Sequence, residues 1–136
     1  MLHISPLAAS LHVGIGGAVG AILRYQTGRA MTHWLGAPAM SLFPWATLAV
    51  NAVGSVLMGV LAGWLVRHGN AGSEQLRLLL GVGVLGGFTT FSAFSLEMVL
   101  LIERGQLTFA ALYAILSFAL GVSGLMFGLF MMRGLA

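Results

Sequence analysis

The residues best equipped for chemistry form one run, Gly86-Gly87-Phe88-Thr89-Thr90-Phe91-Ser92-Ala93-Phe94-Ser95, set inside an otherwise apolar segment. Adjacent glycines loosen a helix, and Thr and Ser hydroxyls compete for its backbone partners. Irregular backbone at membrane depth survives only where it is buried in protein or lines a wet cavity. The run is therefore where a binding site or a conduction path is expected. Phe91 and Phe94 fall three residues apart, on one helical face. Such a pair commonly packs a core, but ring edges are electropositive and can also hold an anion without a formal charge. Thr89, Thr90, Ser92 and Ser95 place hydroxyl donors beside them. If the helix unwinds over 86–89, freed carbonyls face inward and can coordinate a hard cation such as Na⁺.

The other polar groups in apolar surroundings are few. Asn51 is the amide of the second apolar stretch. Its NH2 suits a partly dehydrated anion, and it serves equally as glue between neutral helices. Arg24 ends the first stretch, either snorkelling to the interface or drawing anions to a vestibule mouth. Glu97 lies two residues past Ser95. A structural role is expected for it, as partner of an arginine or as a cap for broken backbone, in preference to a proton relay or a cation site. Tyr113 and Ser117 sit one turn apart, forming a polar track or satisfying one another. His12 has no second ligand at helical spacing, which argues against a metal site there.

These groups must be positioned by membrane helices. The chain of 136 residues is 59% hydrophobic and 7% charged, whereas about 25% of residues are charged in soluble domains. Stretch 7–23 is interrupted by Ser10 and His12, 42–66 is uncharged, 78–101 carries only Glu97, and 107–132 is uncharged. A span needs roughly 20 residues, so four helices are expected at about 8–31, 44–66, 76–102 and 107–132 of a single domain, 1–136. A soluble bundle would need a polar face on each helix, and none has one. The first stretch lacks a basic leader, and Arg24-Tyr25 stand where a cleavage site would be sought, so it is read as a retained helix. Cysteine is absent, which excludes disulfides and thiolate metal sites. The net charge of +3 comes from scattered arginines and is no nucleic-acid footprint.

Gly36, Pro38 and Pro44 break the chain after the first span. His68-Gly69-Asn70-Ala71-Gly72-Ser73 reads as a turn in which Ser73 caps the third span, and Glu103-Arg104-Gly105 as a tight turn. Arg67, Arg77 and Arg133 fall at one side of the four spans, and Arg29 and Arg104 at the other, joined by Arg24 if it faces that end of the first span. The positive-inside bias is thus nearly nil: a counting accident in so small a chain, or a sign that it inserts both ways and pairs with an inverted copy. Gly16/Gly20, Gly59/Gly63, Gly83/Gly87 and Gly124/Gly128 each set two glycines one turn apart, which implies close helix contacts.

Three elements together carry a resemblance: Gly16-Gly17-Ala18-Val19-Gly20-Ala21-Ile22-Leu23-Arg24-Tyr25, Pro44-Trp45-Ala46-Thr47-Leu48-Ala49-Val50-Asn51, and the run from Gly86 to Glu97. Over essentially its whole length the chain resembles the Fluc/CrcB fluoride channels of bacteria. The resemblance implies an all-α membrane protein of four transmembrane helices per subunit, the third broken mid-membrane, in an antiparallel, dual-topology homodimer. It implies two fluoride pores near the dimer interface, in the lipid of the bacterial inner membrane. It also implies a central Na⁺ on the two-fold axis, held by the backbone carbonyls of Gly86 and Thr89. Phe91 and Phe94 would be the pore phenylalanines, Asn51 the pore amide, Arg24 the vestibule arginine, and Tyr113 and Ser117 the hydroxyls of the fourth helix. Ala93 departs from the family pattern, where many members carry Thr or Ser, leaving Ser92 to serve the ion or the backbone. The function implied is passive export of fluoride, with no reaction catalysed. Two other readings use similar architecture. A proton-coupled small multidrug-type exporter needs a carboxylate in the first helix, and this one has none. A non-transporting assembly subunit would need only glycine packing.

Overall fold

The computed structural model describes residues 4–69 and 72–134, and among these the ordered backbone is helical. Helix α1 (Pro6–Leu35) begins where Ser5 Oγ accepts the Ala8 N–H at 3.2 Å and Pro6 takes the first turn. It ends at Gly36, whose φ of 82° is a conformation that side chains resist. A short helix, α2 (Ala37–Leu42), follows in the stretch read from sequence only as a breaker. Pro38 sits in its first turn, where a missing N–H costs nothing. Helix α3 (Trp45–His68) is the second span.

The third span has two parts. Helix α4 (73–88) opens as Ser73–Leu76, winds as a π-helix over Arg77–Leu85, and closes as Gly86–Phe88. Its wide winding shows in Gly86, whose N–H reaches back five residues to the Gly81 carbonyl. Ser73, expected as the cap, is the first helical residue, and Gly72 precedes it as N-cap. Asn70 and Ala71 of the expected turn lie outside the described residues. Helix α5 (Phe91–Glu103) completes the span, and Gly105, at φ 70°, turns the chain into α6 (Leu107–Gly134). Among the described residues, four helical stretches are long and apolar enough to cross a membrane: Pro6–Leu35, Trp45–His68, Ser73–Glu103 and Leu107–Gly134.

Packing divides these helices into two pairs, α1 with α4 and α3 with α6. The glycine pairs explain the division. A Cβ on Gly16 would strike the Leu79 carbonyl and one on Gly20 the Val84 carbonyl, while one on Gly83 would lie 2.8 Å from the Gly16 Cα. Across the other pair, a Cβ on Gly59 would strike the Leu125 carbonyl and one on Gly128 the Val56 carbonyl. Both helices of each pair therefore contribute glycines to the approach, the small-residue packing that holds helices together in lipid. Arg67 Nη1 adds a bond of 2.7 Å to the Met132 carbonyl, tying the ends of α3 and α6.

One cluster links the pairs to the site. Phe43, Leu48, Leu101, Ala110 and Tyr113 are buried together, with Phe94, Met98 and Phe109 packed against them. Phe43 meets Tyr113 edge-on, with centroids 5.5 Å apart at 76°. This cluster fixes where α5 stands relative to α3 and α6.

Candidate functional site

The site grows from the interruption between α4 and α5. Thr89 (φ −80°, ψ 158°) and Thr90 (φ −153°, ψ 126°) are both extended. The interruption thus falls on the two threonines, while Gly86 and Gly87, expected to unwind, remain helical. Asn51 of α3 meets the freed backbone with both ends of its amide. Its Nδ2 donates to the Thr90 carbonyl at 3.0 Å, and its Oδ1 accepts the Thr90 N–H at 2.8 Å. Only one orientation of the amide satisfies both bonds. Below this clip, Gly54 makes room for the Thr89 methyl, which a Cβ at that position would strike.

The clip also redirects hydrogen bonds. In an unbroken helix the Thr90 N–H would go to the Gly86 carbonyl, but Asn51 takes it. The Ala93 N–H would go to the Thr89 carbonyl, but it goes to Thr90 Oγ1 at 3.2 Å, an N-cap bond. Two carbonyls, of Gly86 and Thr89, thereby lose their helical donors. Gly86 itself is exposed, and a Cβ on it would meet only the Gly81 carbonyl, 3.8 Å away.

The two phenylalanines part company. Their centroids are 5.7 Å apart, but Phe91 is 79% exposed, whereas Phe94 packs on Tyr113 at 4.9 Å. Phe94 is therefore partly a core residue and Phe91 is not. Ser92 is exposed, with Oγ 3.3 Å from Thr90 Oγ1. Ser95 Oγ donates to the Phe91 carbonyl at 2.9 Å, so its hydroxyl proton is committed to the helix.

Glu97 has a different partner set from the one expected. Among the described residues, neither an arginine nor broken backbone meets it. Thr47 Oγ1 donates to Oε1 and Tyr113 Oη to Oε2, each at 2.7 Å. Thr47 went unnoticed in the sequence, although it lies one turn before Asn51 on the same face of α3. Tyr113, fully buried, thus belongs to the Glu97 group, and it does not satisfy Ser117. The Ser117 Oγ is buried and has no hydrogen-bond partner among the described residues. His12 Nδ1 lies 2.6 Å from the Ala8 carbonyl of its own helix.

Cavities connect several of these groups. One of about 270 Å³ is bordered by Asn51, Ser55, Thr89, Thr90 and Phe91. A second, about 380 Å³, is bordered by Ser55, Ser117, Gly121 and Leu125. Ser55 and Leu125 border both. Ser55, also missed in the sequence, lies one turn beyond Asn51 and donates to its carbonyl at 2.7 Å. Arg24 borders a third cavity of about 500 Å³ together with Arg29, Thr47 and Val50. Thr47 joins that cavity to the Glu97 group. The structure thus brings Asn51, Thr89 and Phe91 together, places Ser117 one cavity away, and leaves Arg24 at a separate opening.

The sequence model of a family described as CrcB-like protein, Camphor Resistance (CrcB), matches residues 11–129. A protein of Erythrobacter litoralis named fluoride-specific ion channel FluC is 62% identical over 133 residues, covering 98% of each chain. One of the same name from Novosphingobium aromaticivorans is 59% identical over 130 residues, covering 96% of this chain and all of its own, 100%. Another, from Rhodospirillum centenum, is 52% identical over 123 residues, covering 90% and 94%.

Proposed function

The chain belongs to the CrcB family, and from that premise we propose that it is a fluoride-specific ion channel, exporting fluoride passively across the inner membrane. The observation in the geometry that carries this reading is the Ser117 hydroxyl, a buried donor at a cavity wall without an acceptor among the described residues. Leaving such a group unpaired costs about 1–3 kcal/mol, a cost that a passing anion would offset. Fluoride is small and strongly hydrated, so its pathway must replace part of that shell with donors. The remaining N–H of Asn51, the Ser92 hydroxyl and the ring edge of Phe91 supply such donors near the interruption, Ser117 supplies one beyond it, and Arg24 attracts the ion to the entrance. Phe94 and Tyr113 support the wall that presents them. Fluoride enters cells as its neutral weak acid and ionises inside, so a negative-inside potential alone drives the anion out. Conduction makes and breaks no covalent bond.

The functional unit in this reading is an antiparallel homodimer of dual topology, with the third span broken mid-membrane. Two features support it: Phe91 is 79% exposed on the single chain, and the arginines show almost no sidedness. Labelling of the termini in intact cells and inverted vesicles tests it. Both termini are expected to be reachable from both sides, and labelling from one side only would sink the dual-topology reading.

A structural Na⁺ on the two-fold axis fits the donors present. The carbonyls of Gly86 and Thr89, released by the Asn51 clip and the Thr90 cap, would hold it, with the open face of Gly86 admitting a second copy. Neutral carbonyl oxygens without a carboxylate suit a hard monovalent ion better than a divalent one. The ion would offset the repulsion between converging backbone dipoles.

Purified protein in liposomes tests both proposals. Fluoride efflux under a valinomycin-clamped K⁺ potential is expected, without chloride efflux and without need for a pH gradient. Absence of fluoride efflux would overturn the channel reading; efflux only under a proton gradient would favour the exporter. Prolonged replacement of Na⁺ by a large organic cation is expected to reduce fluoride efflux sharply. Undiminished efflux, with the site shown empty by crystallography, would eliminate the ion's role.

A further inference from the structure

Arg24 does not stand alone at its cavity. Arg29 borders the same space of about 500 Å³, five residues further along α1. No Asp or Glu borders that space, and neither guanidinium makes a hydrogen bond or ion pair among the described residues. One arginine near a helix end needs no cavity, since its head can snorkel to water. Two on one cavity wall raise the potential between them, and low-dielectric walls focus that field into the space. Gly28 keeps the α1 wall open between them, for a Cβ there would meet nothing within 4 Å.

The threonine hydroxyls of the wall are already committed, while the exposed Tyr25 at its rim carries the other hydroxyl. Thr47 Oγ1 donates to Glu97, and Thr32 Oγ1 donates to the Gly28 carbonyl at 2.9 Å. Charge is thus the main attraction this cavity offers an anion, which suits capture from solution better than tight, dehydrated binding. Arg29 is the more exposed of the two and meets arriving ions first; Arg24, half-buried, holds them deeper.

We propose that Arg29 is a second anion-capture residue of the Arg24 vestibule, raising the local concentration of small monovalent anions at the channel mouth. This rests on the channel reading above. A field acting through space is screened by salt, whereas a packing role is not. The screening length is about 30 Å at 0.01 M and about 3 Å at 1 M.

The test is fluoride flux through Arg29→Gln, Arg29→Lys and Arg29→Glu, measured in liposomes at subsaturating fluoride in ~10 mM and ~1 M inert salt. Arg29→Gln is expected to lower flux about threefold or more at low salt and to converge on wild type at high salt. Arg29→Lys is expected to restore low-salt flux, and Arg29→Glu to fall below Arg29→Gln there. Equal flux in all variants at low salt, or a reduction of the same factor at both salts, would overturn the proposal. Absent flux in the wild type would instead refute the channel reading on which it rests.

Discussion

Replacing Asn51 with Leu is expected to abolish fluoride flux, and to do so by dismantling the backbone around the pathway as well as removing a donor from it. The amide satisfies the Thr90 N–H and the Thr90 carbonyl at 2.8 and 3.0 Å. Leucine would leave both unpaired, at about 1–3 kcal/mol each. The cheapest escape is for Thr90 to return to the helix, which would give its N–H back to Gly86 and close that carbonyl. Asn51→Asp separates the two roles. A carboxylate still accepts the Thr90 N–H, but it faces the Thr90 carbonyl with no donor and sets a negative charge on the cavity wall. Its flux is expected to fall at least about tenfold, a barrier increase of about 1.4 kcal/mol, with the protein still folded. Fluoride efflux from liposomes measures both variants. Wild-type flux in Asn51→Leu would show that the clip serves no part of conduction.

The phenylalanines give the second large effect, and their different surroundings make it interpretable. Phe91→Ile removes a ring that is 79% exposed on the single chain, so the packing of the subunit is expected to be unchanged. Phe94→Ile also removes the contact with Tyr113 at 4.9 Å, an aromatic pairing of about 0.5–1.5 kcal/mol. Both substitutions keep apolar bulk and lose the quadrupole. Each is expected to cut fluoride flux about tenfold or more, but only Phe94→Ile is expected to lower the thermal midpoint in detergent. Size-exclusion chromatography checks that each variant still elutes as wild type does. A Phe91→Ile protein that conducts normally would remove ring edges from the pathway and leave Phe91 as a packing residue.

The four spans were legible because lipid imposes a coarse rule: long uncharged stretches become helices. The glycine pairs were legible as close contacts for a related reason, since a residue without Cβ lets backbones approach most closely. Their matching was not, because it depends on which helix meets which. The interruption was placed a few residues too early. Gly86-Gly87 suggested unwinding, yet Gly87 is used for approach, with a would-be Cβ only 3.0 Å from the Gly17 Cα. Thr89 and Thr90 were seen as donors, although extended backbone at Thr90 is what its N-cap bond requires. The partners of Glu97 could not be read at all: Thr47 is 50 residues away and Tyr113 is 16. Such pairs are set by tertiary packing, and the local pattern around a lone carboxylate carries no trace of them. The π-winding over Arg77–Leu85 likewise has no signature in the residues that adopt it.

The pairing of α1 with α4 and of α3 with α6 is interleaved along the chain, and that has a consequence for biogenesis. Hairpins made of successive helices can close as the ribosome delivers them. Here α1 must wait through α2 and α3 for its mate, and α3 must wait through α4 and α5 for α6. Until α6 is threaded into the bilayer, the groove at Gly59 and Gly63 is open to lipid or to a foreign small-residue helix. The subunit's commitment to its own fold therefore waits on α6, and a nascent chain that loses α6 is left with a sticky, unmatched surface for membrane proteases to find.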